Sequence, residues 1–248
     1  MKRRLVHMYI LLLKLFGMKM VHFIHIGKTG GSAVRNAFEE SSIVNGRYLL
    51  SYPYLFHMHG HEFTLEDCPS GEFVFFTIRE PVSRFVSSFY SRKREGRPKN
   101  YNPWTEDERT AFTFFGTANE LGEAIGSAED KIRKKAIRAM KSIGHVKSSY
   151  WDWFKNDAFL ISNKSKIFHV LRQERLSDDF DAFKRKYNIE VKSLTNDPIK
   201  SHKNVVELDT KLSSLAIQNI SNWYKEDFYF LELMQELGLV EKCHMNYE

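Results

Sequence analysis

Between Val21 and Ser32 the chain passes from a short β-biased run, VHFIHI, into the turn Gly27-Lys28-Thr29-Gly30-Gly31-Ser32 and then into a helical pattern. Val34, Ala37 and Phe38 recur at i, i+3 and i+4 within Ala33 to Glu40, as on one face of an amphipathic helix, with Ser32 or Thr29 near its cap. Strand, tight turn and helix in that order open an α/β fold. The turn is also suited to an anion. Its glycines let consecutive amides face an oxyanion, Lys28 adds a point charge, and the Thr29 and Ser32 hydroxyls add short-range donors. A Walker A loop needs a further glycine five residues before the Gly27-Lys28 pair, where this chain has His22, so an ordinary ATPase or GTPase is disfavoured.

A second unit of the same kind follows. Phe73 to Ile78 (FVFFTI) is almost wholly apolar, as expected of a central parallel strand covered on both faces. Arg79-Glu80-Pro81 leads into a helix whose Val82, Phe85, Val86 and Phe89 share a face, and Pro81 suits the first turn because its missing N–H costs little there. Arg79 at a strand end and Ser87 in the following helix are candidates for a second anionic group.

Further along, Arg92 to Thr105 reads as a polar loop and helices are expected at Glu108 to Phe115 and Glu129 to Met140. The buried stripe of the latter is expected to be Ile132, Ala136, Ile137 and Met140, ringed by lysines and arginines. Phe159 to Ser162 and Ile167 to Leu171 read as strands, Asp179 to Tyr187 as a helix, and Leu212 to Leu237 as paired helices. No repeat or linker forces a boundary. The expectation is an N-terminal amphipathic segment at 1–20 and a single domain at 21–248.

Charge narrows the partners. The 37 Lys and Arg against 31 Asp and Glu leave +6, which permits anionic ligands without choosing among them. Cys68 and Cys243 are too few for a disulfide scaffold, and no close Cys/His spacing suggests a structural metal site, so no metal is expected. Residues 5–16 are too short to span a membrane and carry Lys14 within them, which favours a helix packed on the domain, with peripheral membrane contact as the competing reading.

The combination of FIHIGKTGGS, FFTIREPVSRFVSSFY, His59-Gly60-His61 and a late Ser201-His202-Lys203-Asn204 resembles the sulfotransferase superfamily, especially its heparan-sulfate and uronosyl 2-O-sulfotransferase branch, over about Val21 to Leu237. The resemblance implies a P-loop-like three-layer α/β fold with a central, mainly parallel sheet, and 3'-phosphoadenosine 5'-phosphosulfate (PAPS) as sulfuryl donor. By that resemblance Lys28, Thr29, Gly30, Gly31 and Ser32 receive the 5'-phosphosulfate, Arg79 and Ser87 hold the 3'-phosphate, and Lys203 lies in the late loop near the nucleotide. Lys28 then stabilises developing charge, and His61 is preferred as general base, with His59 positioning the acceptor or sharing the role. His25 is a further candidate, for packing or for shaping the loop.

The implied acceptor is a hydroxyl of a carbohydrate or glycan-like molecule. An acidic glycan could be met by the basic residues of 92–99 and 131–141 with Trp104 and Trp151 stacking on sugar faces. Nucleic acid is not expected. No obvious membrane anchor or stem of the kind common in the animal Golgi enzymes is read from the sequence, so the expectation is a bacterial-like enzyme, cytoplasmic or peripheral to the inner face of the membrane. Two other readings stay open: a nucleotide-dependent phosphotransferase, and a non-catalytic protein that binds anionic glycans.

Overall fold

The computed structural model describes residues 2–42, 47–98, 101–194 and 210–241, with no account of the side chains of residues 2–7 and 9. The elements in chain order are α1 (Lys2–Leu15), β1 (Lys19–Ile24), α2 (Gly31–Glu40), β2 (Tyr48–Ser51), β3 (Tyr54–Met58), β4 (Phe73–Ile78), α3 (Pro81–Lys93), α4 (Glu106–Phe114), α5 (Ala118–Ile125) and α6 (Asp130–Ser142). They continue as α7 (Trp151–Phe154), α8 (Asp157–Ser162), β5 (Ile167–Arg172), α9 (Leu176–Tyr187), α10 (Ser214–Trp223) and α11 (Lys225–Glu236). The chain forms a mostly parallel sheet flanked by helices, the three-layer α/β arrangement expected from the sequence.

Two compact units divide the chain: residues 1–26, 31–78 and 153–195 form the first, and residues 27–30, 79–152 and 196–248 the second. The five strands among the described residues all lie in the first, in the order β2-β3-β1-β4-β5. β1 pairs in parallel with β3 and β4, β4 pairs in parallel with β5, and β2 joins β3 as an antiparallel hairpin. Period-two alternation divides the side chains between the two faces. Val21, Phe23, Phe56, Met58 and Phe75 pack with Val34, Ala37 and Phe38 of α2 and Phe180 and Phe183 of α9. Met20 and Leu55, on the opposite face, pack with Ile10 of α1 and Met18. The N-terminal segment is therefore a helix packed on the sheet through Ile10, although Leu11, Leu12, Leu15 and Phe16 remain exposed. Among the described residues no helix is long and apolar enough to cross a membrane.

The second unit is helical. Phe85 and Phe89 of α3 pack with Ala111 of α4, Leu121 of α5, Met140 of α6 and Ile220 of α10. Thr105 and Thr117 close capping boxes with Glu108 and Glu120, which sets the starts of α4 and α5.

Three local expectations are corrected. Phe159 to Ser162 is helical: the Asn156 side chain accepts from the Phe159 N–H at 2.8 Å and caps α8, so β5 starts only at Ile167. In α6 Ile132 is exposed and Ala136, Ala139 and Met140 form the buried stripe, because the small alanines let the helix approach its neighbours closely. Arg92 belongs to α3 instead of a loop and is buried, its guanidinium gripping both carboxylate oxygens of Glu108 at 2.6 Å.

Candidate functional site

β1 ends at Ile24, and the chain then enters the loop at Gly27 to Gly30, with α2 starting at Gly31. Lys28 has φ +67° and Gly30 has φ +87°, so two residues of the loop adopt left-handed backbone, a geometry that turns successive peptide groups into an anion-holding concavity. Two arginines take the loop's carbonyls. Arg84 donates from Nε to the Gly27 carbonyl at 3.2 Å, and Arg79 donates from Nη1 to the Lys28 carbonyl at 3.3 Å. In a trans peptide the N–H points opposite to the C=O. The N–H groups of Lys28 and Thr29 are thus directed away from the two guanidiniums. The first turn of α2 holds no acidic residue, which preserves the positive end of its dipole.

Each arginine is itself braced. Arg79 donates from Nε to Ser83 Oγ at 2.8 Å, and the Tyr150 hydroxyl both accepts from the Arg79 N–H at 2.8 Å and donates to its carbonyl at 2.6 Å. Buried Arg84 pairs with Asp227 through Nη1 at 2.8 Å, donates from Nη2 to the Ser148 carbonyl at 2.9 Å and lies over the Tyr150 ring at 4.7 Å. Asp227 also accepts from the Ser149 hydroxyl and the Tyr150 N–H. Ser87 is half-buried on α3, one helical turn after Ser83 and therefore on the face that Arg79 meets. Burial, reinforced by the charges of Arg94 and Arg79, lowers the Lys28 ammonium to about 8. Positive charge is concentrated here at a cost to the protein alone.

Five histidines on and after β1 and β3, His22, His25, His57, His59 and His61, separate into two groups within the first unit. His61 is exposed, and its Nδ1 donates to the His25 carbonyl at 2.7 Å, since a carbonyl only accepts. That bond sets the tautomer and leaves Nε2 as the basic nitrogen. The His61 ring stacks on His25 at 4.1 Å, and Trp153 Nε1 donates to the His61 carbonyl at 2.9 Å. His25 is buried, with Cδ2 at 2.7 Å from where a β-carbon on Gly31 would stand, so this ring both supports His61 and fills the space that glycine leaves at the start of α2. His59 turns elsewhere. Its Nε2 is 2.9 Å from His22 Nδ1 and its ring stacks on Phe63 at 3.8 Å. Burial, with His22 adding to it, pushes the His59 imidazolium down to about 4.

Lys28, Arg79 and Ser87 thus belong to one unit and His59 and His61 to the other, while the loop residues Gly31 and Ser32 open α2 in the first. Lys203 lies outside the described residues. Sequence reasoning missed Ser83, Arg84, Tyr150 and Asp227, which position the loop. Arg84 has a readable signal, a second arginine one turn into the helix that Arg79 precedes. Tyr150 and Asp227 have none, because their partners lie 71 and 143 positions away.

The profile of the sulfotransferase family matches residues 53–233, well over half of the chain. The chain belongs to the sulfotransferase family. The matched span contains His59, His61, Arg79 and Ser87 but begins after the Gly27 to Ser32 loop, so the case for that loop rests on its own geometry. No curated protein matches the chain. Membership in a sulfotransferase family implies a transferase with PAPS as co-substrate. The donor groups suit a polyanion: Lys28 and Arg79, with the charge of Arg94 close enough to act on Lys28, lie beside a left-handed loop.

Proposed function

We propose that this sulfotransferase moves the sulfuryl group of PAPS to a hydroxyl of a carbohydrate or glycan-like acceptor. The observation that carries the donor half is the pair of guanidinium-held carbonyls at Gly27 and Lys28, which turn the following N–H groups outward next to a lysine held at a lowered pKa. PAPS supplies the activated sulfuryl group and a second phosphate. Lys28, Thr29, Gly30, Gly31 and Ser32 hold its 5' end through N–H, hydroxyl and ammonium groups, and Arg79 with Ser87 takes the 3'-phosphate. Lys28 offsets negative charge on the oxygens around the sulfur as the bridging bond lengthens.

His61 removes the acceptor's proton at Nε2, and the imidazolium formed is steadied by the Nδ1–H bond to the His25 carbonyl. His59 is the weaker candidate, because its Nε2 already faces His22. The acceptor reading is supported by exposed basic residues such as Lys134 and Arg138 on α6 and by half-buried Trp104, although Asp130 and Asp107 pair with those cations.

The experiment is a ligand series on the full chain: PAPS, adenosine 3',5'-bisphosphate and ATP, read by calorimetry and thermal shift, followed by transfer of labelled sulfate to neutral and acidic saccharides. Tighter binding of the two 3'-phosphorylated nucleotides, with labelled saccharide formed, is expected. Preference for ATP would overturn the donor assignment, and full transfer by His61→Ala would overturn the base.

A further inference from the structure

A separate constellation lies on the sheet face that carries α1. His22 of β1 and His57 of β3 are direct partners in the parallel ladder, so the pleat sends both side chains to the same face, and His59 follows two residues later. One ring nitrogen from each of His22, His57 and His59 comes within 4.8 Å of the others. Nitrogens bound to one zinc ion at about 2.0–2.1 Å stand on the order of 3.3 Å apart, so small rotations of the rings close the set.

The surroundings match those of a metal ligand set. Glu72 Oε2 accepts from His22 Nε2 at 2.5 Å, and the same carboxylate is paired with Lys14. A carboxylate only accepts, so His22 Nε2 bears the proton and Nδ1 presents its lone pair toward His59 Nε2, 2.9 Å away. Carboxylate, imidazole and metal in line is the arrangement by which proteins fix a ligand's tautomer. The ring planes are set as well: Phe63 stacks on His59 at 3.8 Å and Tyr48 on His57 at 4.2 Å.

We propose that His22, His57 and His59 form a site for one divalent transition-metal ion of the zinc class, with Glu72 orienting His22. Three imidazoles favour zinc, cobalt, nickel or copper over magnesium and calcium, which take oxygen ligands. A tetrahedral ion on three protein ligands keeps a fourth position for water or another small ligand. The proposal does not rest on the sulfuryl-transfer reading. It makes His59 a metal ligand and leaves His61 alone as base.

The test is titration of the untagged, chelator-treated full chain with Co2+ and then Zn2+, read by the visible ligand-field bands of four-coordinate cobalt. One Co2+ per chain, displaced by one equivalent of Zn2+, is expected. His22→Gln and His57→Gln should each abolish the bands, and Glu72→Gln should weaken binding about 10–100-fold. His61→Ala should retain full affinity. Absence of the bands in the unsubstituted chain overturns the site whatever the variants do. So do bands that persist unchanged in both histidine variants with far-UV dichroism intact.

Discussion

Arg79 donates from Nη1 to the Lys28 carbonyl at 3.3 Å while its Nε donates to Ser83 Oγ at 2.8 Å, so one guanidinium ties the anion loop to the first turn of α3. The charge that the sequence offered as a ligand contact is also a structural brace. The second anionic group proposed for Arg79 and Ser87 therefore meets a guanidinium whose position is already set.

Arg79→Lys tests that double role. A lysine ammonium cannot reproduce the planar fork that reaches Ser83 and Lys28 together. Charge-assisted hydrogen bonds contribute about 1.5–3 kcal/mol each, so affinity for adenosine 3',5'-bisphosphate should fall about 10–100-fold by calorimetry. Affinity unchanged by this substitution would remove Arg79 from the donor site.

Lys28 has a pKa lowered to about 8, first by burial and then by Arg94 and Arg79. Its charge therefore costs stability in the protein alone, fully below pH 8 and progressively less as pH rises toward its ordinary 10.5. An anion reverses the preference and raises the pKa, so nucleotide binding near pH 8 should take up protons. Calorimetry in buffers of different ionisation enthalpy should show that uptake in the native chain and not in Lys28→Met. Lys28→Met should also melt higher than the native chain at pH 7 in the absence of nucleotide.

Gly31 opens α2 where a β-carbon would lie 2.7 Å from His25 Cδ2 and 3.2 Å from Phe23 Cζ, both in buried side chains. Gly31→Ala should destabilise the fold by about 1–3 kcal/mol, the usual cost of forcing extra volume into a packed interior. Because His25 carries the ring against His61, turnover should fall further than the loss of folded protein accounts for. Urea denaturation beside kcat separates the two effects.

Glu108 is buried, which raises its pKa, yet the Arg92 guanidinium and the Gly144 and Thr105 N–H groups prevail and hold it down at about 2. A lowered carboxylate pKa gives stability that is complete above its ordinary 4.5 and lost as pH falls through 2. Glu108→Gln leaves the Arg92 charge buried without its counter-ion and should cost about 3–5 kcal/mol at neutral pH. Urea midpoints measured from pH 7 down to 2 should fall for the native chain below pH 4.5 and stay flatter for the variant.

The parts of the site written in consecutive residues were legible early. Gly27 to Ser32 announced a tight turn between strand and helix, because its glycines permit the left-handed backbone that the structure shows at Gly30. FVFFTI announced a buried strand because both of its faces are apolar. The pair His59 and His61 was equally visible, but period two alone cannot say which ring turns to the sheet and which to solvent. His59 goes to His22 and His61 to His25 only because β3 ends at Met58 and the chain turns directly afterwards.

By itself, then, the sequence determined the alternation of strand and helix, the glycine, lysine and hydroxyl make-up of the first loop and the place of Arg79 at a strand end, all of which follow from neighbours along the chain. Tertiary structure alone decided that Arg84 and Arg92 are internal braces, that Tyr150 and Asp227 position the loop, and that His22 meets His59 and Glu72. The physical reason is the same throughout. A buried charge or an oriented imidazole is defined by the partner that compensates it, and folding brings those partners from positions 16 to 143 residues away.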